Sequence, residues 1–260
     1  MPKLLEVKRD VKARAFHDAA RTLYAGDRNR IAPLDMEIEP IFDRRKNALF
    51  DDGDAVRWVL QDDSGRTIGR IAAFYNRPQA ERRDPKAGGI GFFECVDDQA
   101  AANALFDAAR EWLARRGLEA MDGSVNFGEN FVHWGVLVEG FEPQGYGMPY
   151  NKPYYGRLFE SYGFGEYYRQ FTYHFDIRKP PPPRQLKFAE FLLSRPGQSF
   201  RHFDLKNPGP IIRDIVEVMN TTWADFLEDY QPVTAADLEA VFRSAKPILV
   251  EDFIWLAYKE

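Results

Sequence analysis

Residues 91–117, GFFECVDDQAAANALFDAAREWLARRG, constrain the fold of this chain more than any other stretch. Residues 91–96 form a short apolar run with two phenylalanines, the pattern of a buried strand. Asp97 and Asp98 end the run, and either side chain can cap a helix. Ala101, Leu105, Ala108, Trp112 and Leu113 then recur at helical spacing and put one apolar stripe against a sheet. Arg115 and Arg116 suit the negative end of that helix, and Gly117 stops it. A strand that feeds a helix start leaves N–H groups pointing out of the first turn, which is an anion-binding arrangement. The hexapeptide Gln99-Ala100-Ala101-Ala102-Asn103-Ala104 is predicted to be the loop that makes this junction.

The flanking sequence predicts what this unit packs with. Residues 4–11 read as an opening strand, and 13–24 as an amphipathic helix with Phe16, Ala19, Ala20 and Leu23 on one face. A second helix is predicted over 37–50, with Pro40 in its first turn. Strands at 55–60 and 67–75 flank Asp62-Asp63-Ser64-Gly65, a hairpin signal. Charged residues 76–89 are expected to form an exposed loop, and 119–127 another strand. A helix over 153–162 should stop at Gly163, and the alternation of 166–177 predicts a long strand.

Four prolines at 180–183 favour a stiff polyproline II spacer of about 3.1 Å per residue. Beyond it come a helix at 186–193, a strand at 199–205, a helix at 210–226, a helix capped by Thr234 and Asp237, and a strand at 253–258. The order strand, helix, helix, strand thus occurs twice, over 18–62 and 214–260. In the first copy the strand near Trp58 runs on into a hairpin; in the second, the strand near Trp255 runs to Glu260. The second copy reads as half a domain. Either the chain is shortened, or a further strand, from a homodimer partner for example, completes the sheet, since an open apolar edge is a liability.

Composition narrows the function classes. A net charge of −5 argues against broad nucleic-acid binding. Cys95, the single cysteine, forms no internal disulfide and reads as a small core residue. With one cysteine and no His-x-x-x-His pair, a metal site has no support. No apolar run approaches the roughly 20 residues of a membrane span, and the first ten residues lack a signal-peptide core, so a cytoplasmic protein is expected.

The hexapeptide 99–104 resembles the pyrophosphate loop of the GNAT superfamily of N-acyltransferases, Gln/Arg-x-x-Gly-x-Gly/Ala, with Ala102 in place of the first glycine. Leu158-Phe159-Glu160-Ser161-Tyr162-Gly163-Phe164 looks like the Leu-Tyr-Glu-x-x-Gly-Phe signature of the same superfamily. The resemblance implies an α/β (α+β) fold: a GNAT-like mixed central sheet with helices on both faces over residues 1–178, a proline-rich linker over 179–185, and a partial second GNAT-like unit over 186–260. Some tandem relatives of bacterial origin act on long-chain amines in sphingolipid synthesis.

Acyl-CoA or acetyl-CoA is then the implied co-substrate, held by Cys95, Val96, Gln99, Ala102, Asn103 and Ala104, with a small-molecule or lipid-like amine as acceptor. Such a reaction requires a neutral amine, a donor for the thioester oxyanion and an acid for the thiolate. Glu94, a carboxylate in an apolar strand, is either a base of raised pKa, or a carboxylate at a solvent-lined sheet face or paired with an arginine. The place of the family's acidic tyrosine holds Phe159, which leaves Tyr154, Tyr155 or Tyr162, or water, to protonate the leaving thiolate. Trp134, His133, Tyr146 and Tyr150 read either as walls of a substrate groove or as an aromatic cluster closing the core, with Glu129 and His133 as further base candidates. Three functions stay open: an N-acyltransferase, a degenerate domain that binds a ligand or protein, and a Fem-type aminoacyl transferase.

Overall fold

The computed structural model describes residues 2–7, 11–128, 134–226 and 232–259. They form two compact units, divided between Arg169 and Gln170.

In the first unit the elements run β1 (Lys3–Glu6), α1 (Val11–Leu23), α2 (Asp35–Ile38), β2 (Gly53–Gln61), β3 (Thr67–Asn76), α3 (Arg77–Glu81), β4 (Ala87–Cys95), α4 (Gln99–Ala114), β5 (Ala120–Gly123) and α5 (Tyr155–Tyr162). The sheet order is β1-β2-β3-β4-β5, antiparallel as far as β4, with β5 parallel to β4. Asp62 closes the β2–β3 hairpin by accepting the N–H groups of Ser64 and Arg66. One sheet face packs Ile71, Phe93 and Cys95 against Leu105, Phe106 and Trp112 of α4 and Leu158 of α5. The other packs Val59, Phe74 and Phe92 against Phe16 of α1 and Ile38 of α2.

A bulge in β4 decides which residue goes to which face. Arg70 pairs with Glu94 and Ala72 with Gly91, so Phe92 and Phe93 together stand opposite Ile71. Phe92 takes a φ of 54°, left-handed territory that costs a non-glycine residue on the order of 1–3 kcal/mol. Its ring is fully buried between Phe16 and Phe42. The extra residue turns Glu94 towards α1 and Cys95 towards α4.

Several expected elements differ. The second helix breaks after Ile38 into 3-10 turns at Glu39–Phe42 and Ala48–Phe50. Between them Asp43 accepts from the Arg45 N–H and Asn47 from the Leu49 N–H, local bonds that compete with a helix. The expected loop at 76–89 holds α3, capped by Asn76, and the beginning of β4. The strand expected at 119–127 is only the four residues of β5. The long strand expected at 166–177 does not form. Alternation sets which way side chains point, but a strand exists only where a partner completes the ladder, and Tyr173 and Ile177 stand 86% exposed.

The second unit contains α6 (Pro183–Leu193), β6 (Gln198–His202), α7 (Gly209–Phe226), α8 (Ala235–Ala245) and β7 (Trp255–Lys259). Helix α6 begins at Pro183 rather than 186, because proline suits a first helical turn. Thr234 and Asp237 form the expected capping box. Strands β6 and β7 pair antiparallel, as β1 and β2 do across α1 and α2. The core here is small: Phe203, Ile211 and Ile212, with Phe242 stacked on Phe203.

Candidate active site

The site begins where β4 and β5 part. They pair from Ala87–Ala120 to Ile90–Gly123, and Val125 then donates to Ile90 O at 2.8 Å. A Cβ on Gly91 would lie 1.9 Å from Val125 O, so only glycine allows the strands to pass this close before they diverge. Farther along β4, Val96 N–H goes to Ile68 O on the β3 side. Cys95 N–H and C=O therefore face the opening. Both are met by tyrosines at the start of α5: Cys95 N–H donates to Tyr155 Oη at 2.9 Å, and Tyr154 Oη donates to Cys95 O at 2.8 Å.

Tyr155 Oη in turn donates to Glu94 Oε2 at 2.8 Å. Glu94 is buried, and its Oε1 lies 3.4 Å from both Arg30 Nη1 and Arg70 Nη2. Arg70 is also buried and donates to Phe16 O at 2.9 Å. Two guanidiniums compensate a carboxylate that could not otherwise stay charged inside the protein. Glu94 is thus paired with arginine and does not lie at a solvent-lined sheet face. Burial pushes the Arg70 guanidinium down, with Glu94 opposing. Burial, and then the Glu94 charge, holds Tyr155 well above the phenol range. Burial likewise pushes Tyr154 up to about 12 and the Cys95 thiol up to about 12, which leaves that thiol inert.

Glu94 and Tyr155 line a small cavity together with Ser124, Trp134, Tyr150 and Asn151. Tyr150 Oη donates to Asp27 at 3.0 Å, and Lys152 Nζ lies 2.8 Å from the same carboxylate. Lys152 and burial pull the Asp27 pKa in opposite directions, and the hydrogen bond from Lys152 wins and lowers it. Tyr146 donates to Glu37 and accepts from Leu34 N–H at 3.3 Å. Both tyrosines thus clamp the 141–152 segment onto the α1–α2 connection, while Tyr150 also faces the cavity. Asn151 spends its amide on Leu137 and Lys152 O.

The helix start differs from its expectation. Residues 99–104 are helical from Gln99 onward, and the connection is the shorter 96–98, because Asp98 caps α4 by accepting Ala100 N–H at 2.9 Å. Ala102 is fully buried and its N–H goes to Asp98 O at 3.0 Å. Asn103 and Ala104 lie farther inside the helix. Gln99 Nε2 donates to Asn103 Oδ1 and Leu158 O, and its buried Oε1 meets no partner among the described residues. Val96 caps the turn, its C=O accepting Asp98 N–H at 2.7 Å. The strand edge suits the amide groups of a pantetheine arm, if the two tyrosines give way. The helix start does not suit a diphosphate, since a carboxylate already sits on it.

Phe159 occupies the core, with ring centroids 5.1 Å from Phe93 and 4.9 Å from Phe106. His133 and Glu129 lie outside the described residues. Sequence reading missed Arg30 and Arg70. An arginine inside the apolar run Ile68–Phe74 is itself a cue to a buried partner of opposite charge, and that cue pointed to Glu94. Among the described residues no cluster of three His, Cys, Asp or Glu could hold a metal ion, and no helix is long and apolar enough to cross a membrane.

An antiparallel run of four strands, a parallel fifth that parts from the bulged fourth, and a helix leading off the end of that fourth strand fix the architecture. This order of elements resembles the GNAT fold. No family model matches the chain. It is 28% identical over 257 residues to the bacterial ceramide synthase of Caulobacter vibrioides, covering 98% of this chain and 66% of that protein. It is 33% identical over 158 residues to Protein YghO of Escherichia coli, covering 60% of this chain and 39% of that protein. The chain therefore spans less than two thirds of the length of either relative. Among solved structures, a predicted acetyltransferase with acetyl-CoA from Clostridium acetobutylicum overlays at a TM-score of 0.42 and 12% identity, over 67% of this chain and 96% of that one. An overlap that loose locates no residue of the cleft.

Proposed function

We propose that the GNAT unit is an N-acyltransferase that takes an acyl group from acyl-CoA and passes it to an amine of hydrophobic, lipid-like character. The observation that carries this reading is the β4 edge beyond its pairing with β5, whose groups are met by tyrosine hydroxyls rather than by a strand. Cys95 N–H and C=O face the cleft beside a buried Glu94–Tyr155 pair. In the reaction the amine nitrogen attacks the thioester carbonyl, a C–N bond forms, the C–S bond breaks, and the amine's proton ends on the leaving sulfur. Tyr155 and Glu94 handle that proton, and Tyr154 stands beside the same edge. Arg30 and Arg70 disfavour a second cation near Glu94, which favours the neutral, nucleophilic form of the amine. The aromatic cavity wall and the name of the Caulobacter relative support a lipid-like acceptor.

A binding domain without catalysis is the second reading. It is favoured by the Asp98 cap on α4 and by Phe159 in the core. Thiol release from palmitoyl-CoA, followed with and without a long-chain amine, separates the two. The enzyme reading expects amine-dependent release that falls tenfold or more in Tyr155→Phe. Release independent of amine, or none, supports the binding domain.

A further inference from the structure

The cavity beside Glu94 is too small for the reaction proposed for it. It measures about 30 Å³, room for a water or two and not for an acyl chain. One wall therefore has to move. Part of the wall is fixed: Phe93, Tyr155 and Phe159 belong to the hydrophobic core, each 5% exposed or less. The part formed by Pro149, Tyr150 and Asn151 is different. No residue from 137 to 150 is buried, and none belongs to either core of the first unit. A segment with so few apolar contacts opens at a fraction of the cost of unfolding the whole protein.

This segment is built to move as one piece. Asn151 accepts the Leu137 N–H at 2.6 Å and donates to Leu137 O at 2.9 Å, which pinches the chain into an Ω-loop with its ends together. Polar contacts tie the loop to the α1–α2 region. Asn29 donates to Phe141 O at 3.1 Å, and Tyr146 meets Glu37 and the Leu34 N–H. The densest tie is Asp27, whose carboxylate receives Tyr150 Oη at 3.0 Å and Lys152 Nζ at 2.8 Å, one on each side of Asn151. Asp27 is already aimed: its Oδ1 accepts the Asn29 N–H at 3.1 Å, and its own N–H donates to Tyr24 O at 2.9 Å. The same turn runs on to Arg30, which lies 3.4 Å from Glu94.

We infer that residues 137–151 are a flap that swings off the cleft to admit the reactants, and that Asp27 is the positioning residue that holds it closed, acting on the cavity through Tyr150. The inference rests on the acyl-transfer reading and adds the step that opens and seals the site. A closed flap keeps water from the thioester and completes the cavity wall with Tyr150.

Chymotrypsin reads the flap without a ligand, since cleavage after Phe141 or Tyr146 requires the loop to leave the body of the protein. Tyr167, Tyr173 and Phe175 stand exposed outside any helix or strand and serve as an internal reference. In the wild type the flap should be cut at least tenfold more slowly than the reference. Asp27→Asn and Lys152→Met should each raise flap cleavage tenfold or more while the reference rate and the melting temperature stay as they are. Both should lower kcat for acyl transfer from octanoyl-CoA to a long-chain amine by fivefold or more. Lys152→Arg, which keeps the charge, should keep the flap protected. Wild-type flap cleavage as fast as the reference, unchanged cleavage in Asp27→Asn and Lys152→Met, a general loss of stability in place of local cleavage, or an unchanged kcat in variants whose flap is cut would each overturn the inference. A flap protected through Asp27 in a protein that acylates no amine from octanoyl-CoA would uphold the flap and overturn the acyl-transfer reading.

Discussion

Glu39 shows how a single carboxylate can tie stability to pH. It accepts from His17 Nε2 at 2.7 Å and from Arg57 Nη1 at 2.7 Å. The bond from His17, then that from Arg57, holds its pKa down at about 2 against the ordinary 4.5. A carboxyl whose folded pKa lies below its unfolded one adds stability above the unfolded value and loses it as pH falls through the folded value. The Glu39 side chain is 43% exposed, so solvent screening keeps the effect modest. Glu39→Gln should therefore melt below the wild type at pH 7. The gap should shrink as pH drops under about 4.5 and close near 2. Thermal melts of both proteins across pH 7 to 2.5 read this directly. A constant gap would mean that the Glu39 charge is not what His17 and Arg57 are holding.

At the scale of elements, the bulge and the glycine before it make the cleft. Gly91→Ala sets a methyl 1.9 Å from the backbone oxygen of Val125, a contact that no side-chain rotation relieves. The variant should lose on the order of 1–3 kcal/mol, as overpacked sites do, visible as a lower urea midpoint. An unchanged midpoint would show that β4 and the chain after β5 are farther apart than described. Most elements were legible in the sequence because periodicity and capping are local: α4 ends near its two arginines, α5 stops at Gly163 in the left-handed conformation, and Thr234 caps α8. The bulge was not, since nothing in GGIGFFEC announces an extra residue that only the pairing with β3 reveals. The same limit hid Arg30, whose place beside Glu94 depends on contacts made across the fold. It also made residues 166–177 look like a strand, because pattern without a partner was read as pairing.

At the scale of the whole molecule, the two units differ in how far they are finished. The first surrounds a five-stranded sheet with two cores, and its cleft lies within it. The second holds a two-stranded sheet over a small core and leaves Phe188, Phe191, Leu193, Ile248 and Phe253 exposed. The proposed acyl transfer belongs to the first unit, and it requires that this cleft take an acyl thioester. Ser124 is half-buried on the cleft wall, and Ser124→Trp should fill the opening. The deciding measurement is calorimetric titration of octanoyl-CoA into wild type and Ser124→Trp, with melting temperatures checked alongside. Binding by the wild type, weakened tenfold or more in a variant that melts normally, about 1.4 kcal/mol, is the predicted result. Equal affinities would place the acyl-CoA site elsewhere, and no binding by the wild type would contradict the assignment of this cleft altogether.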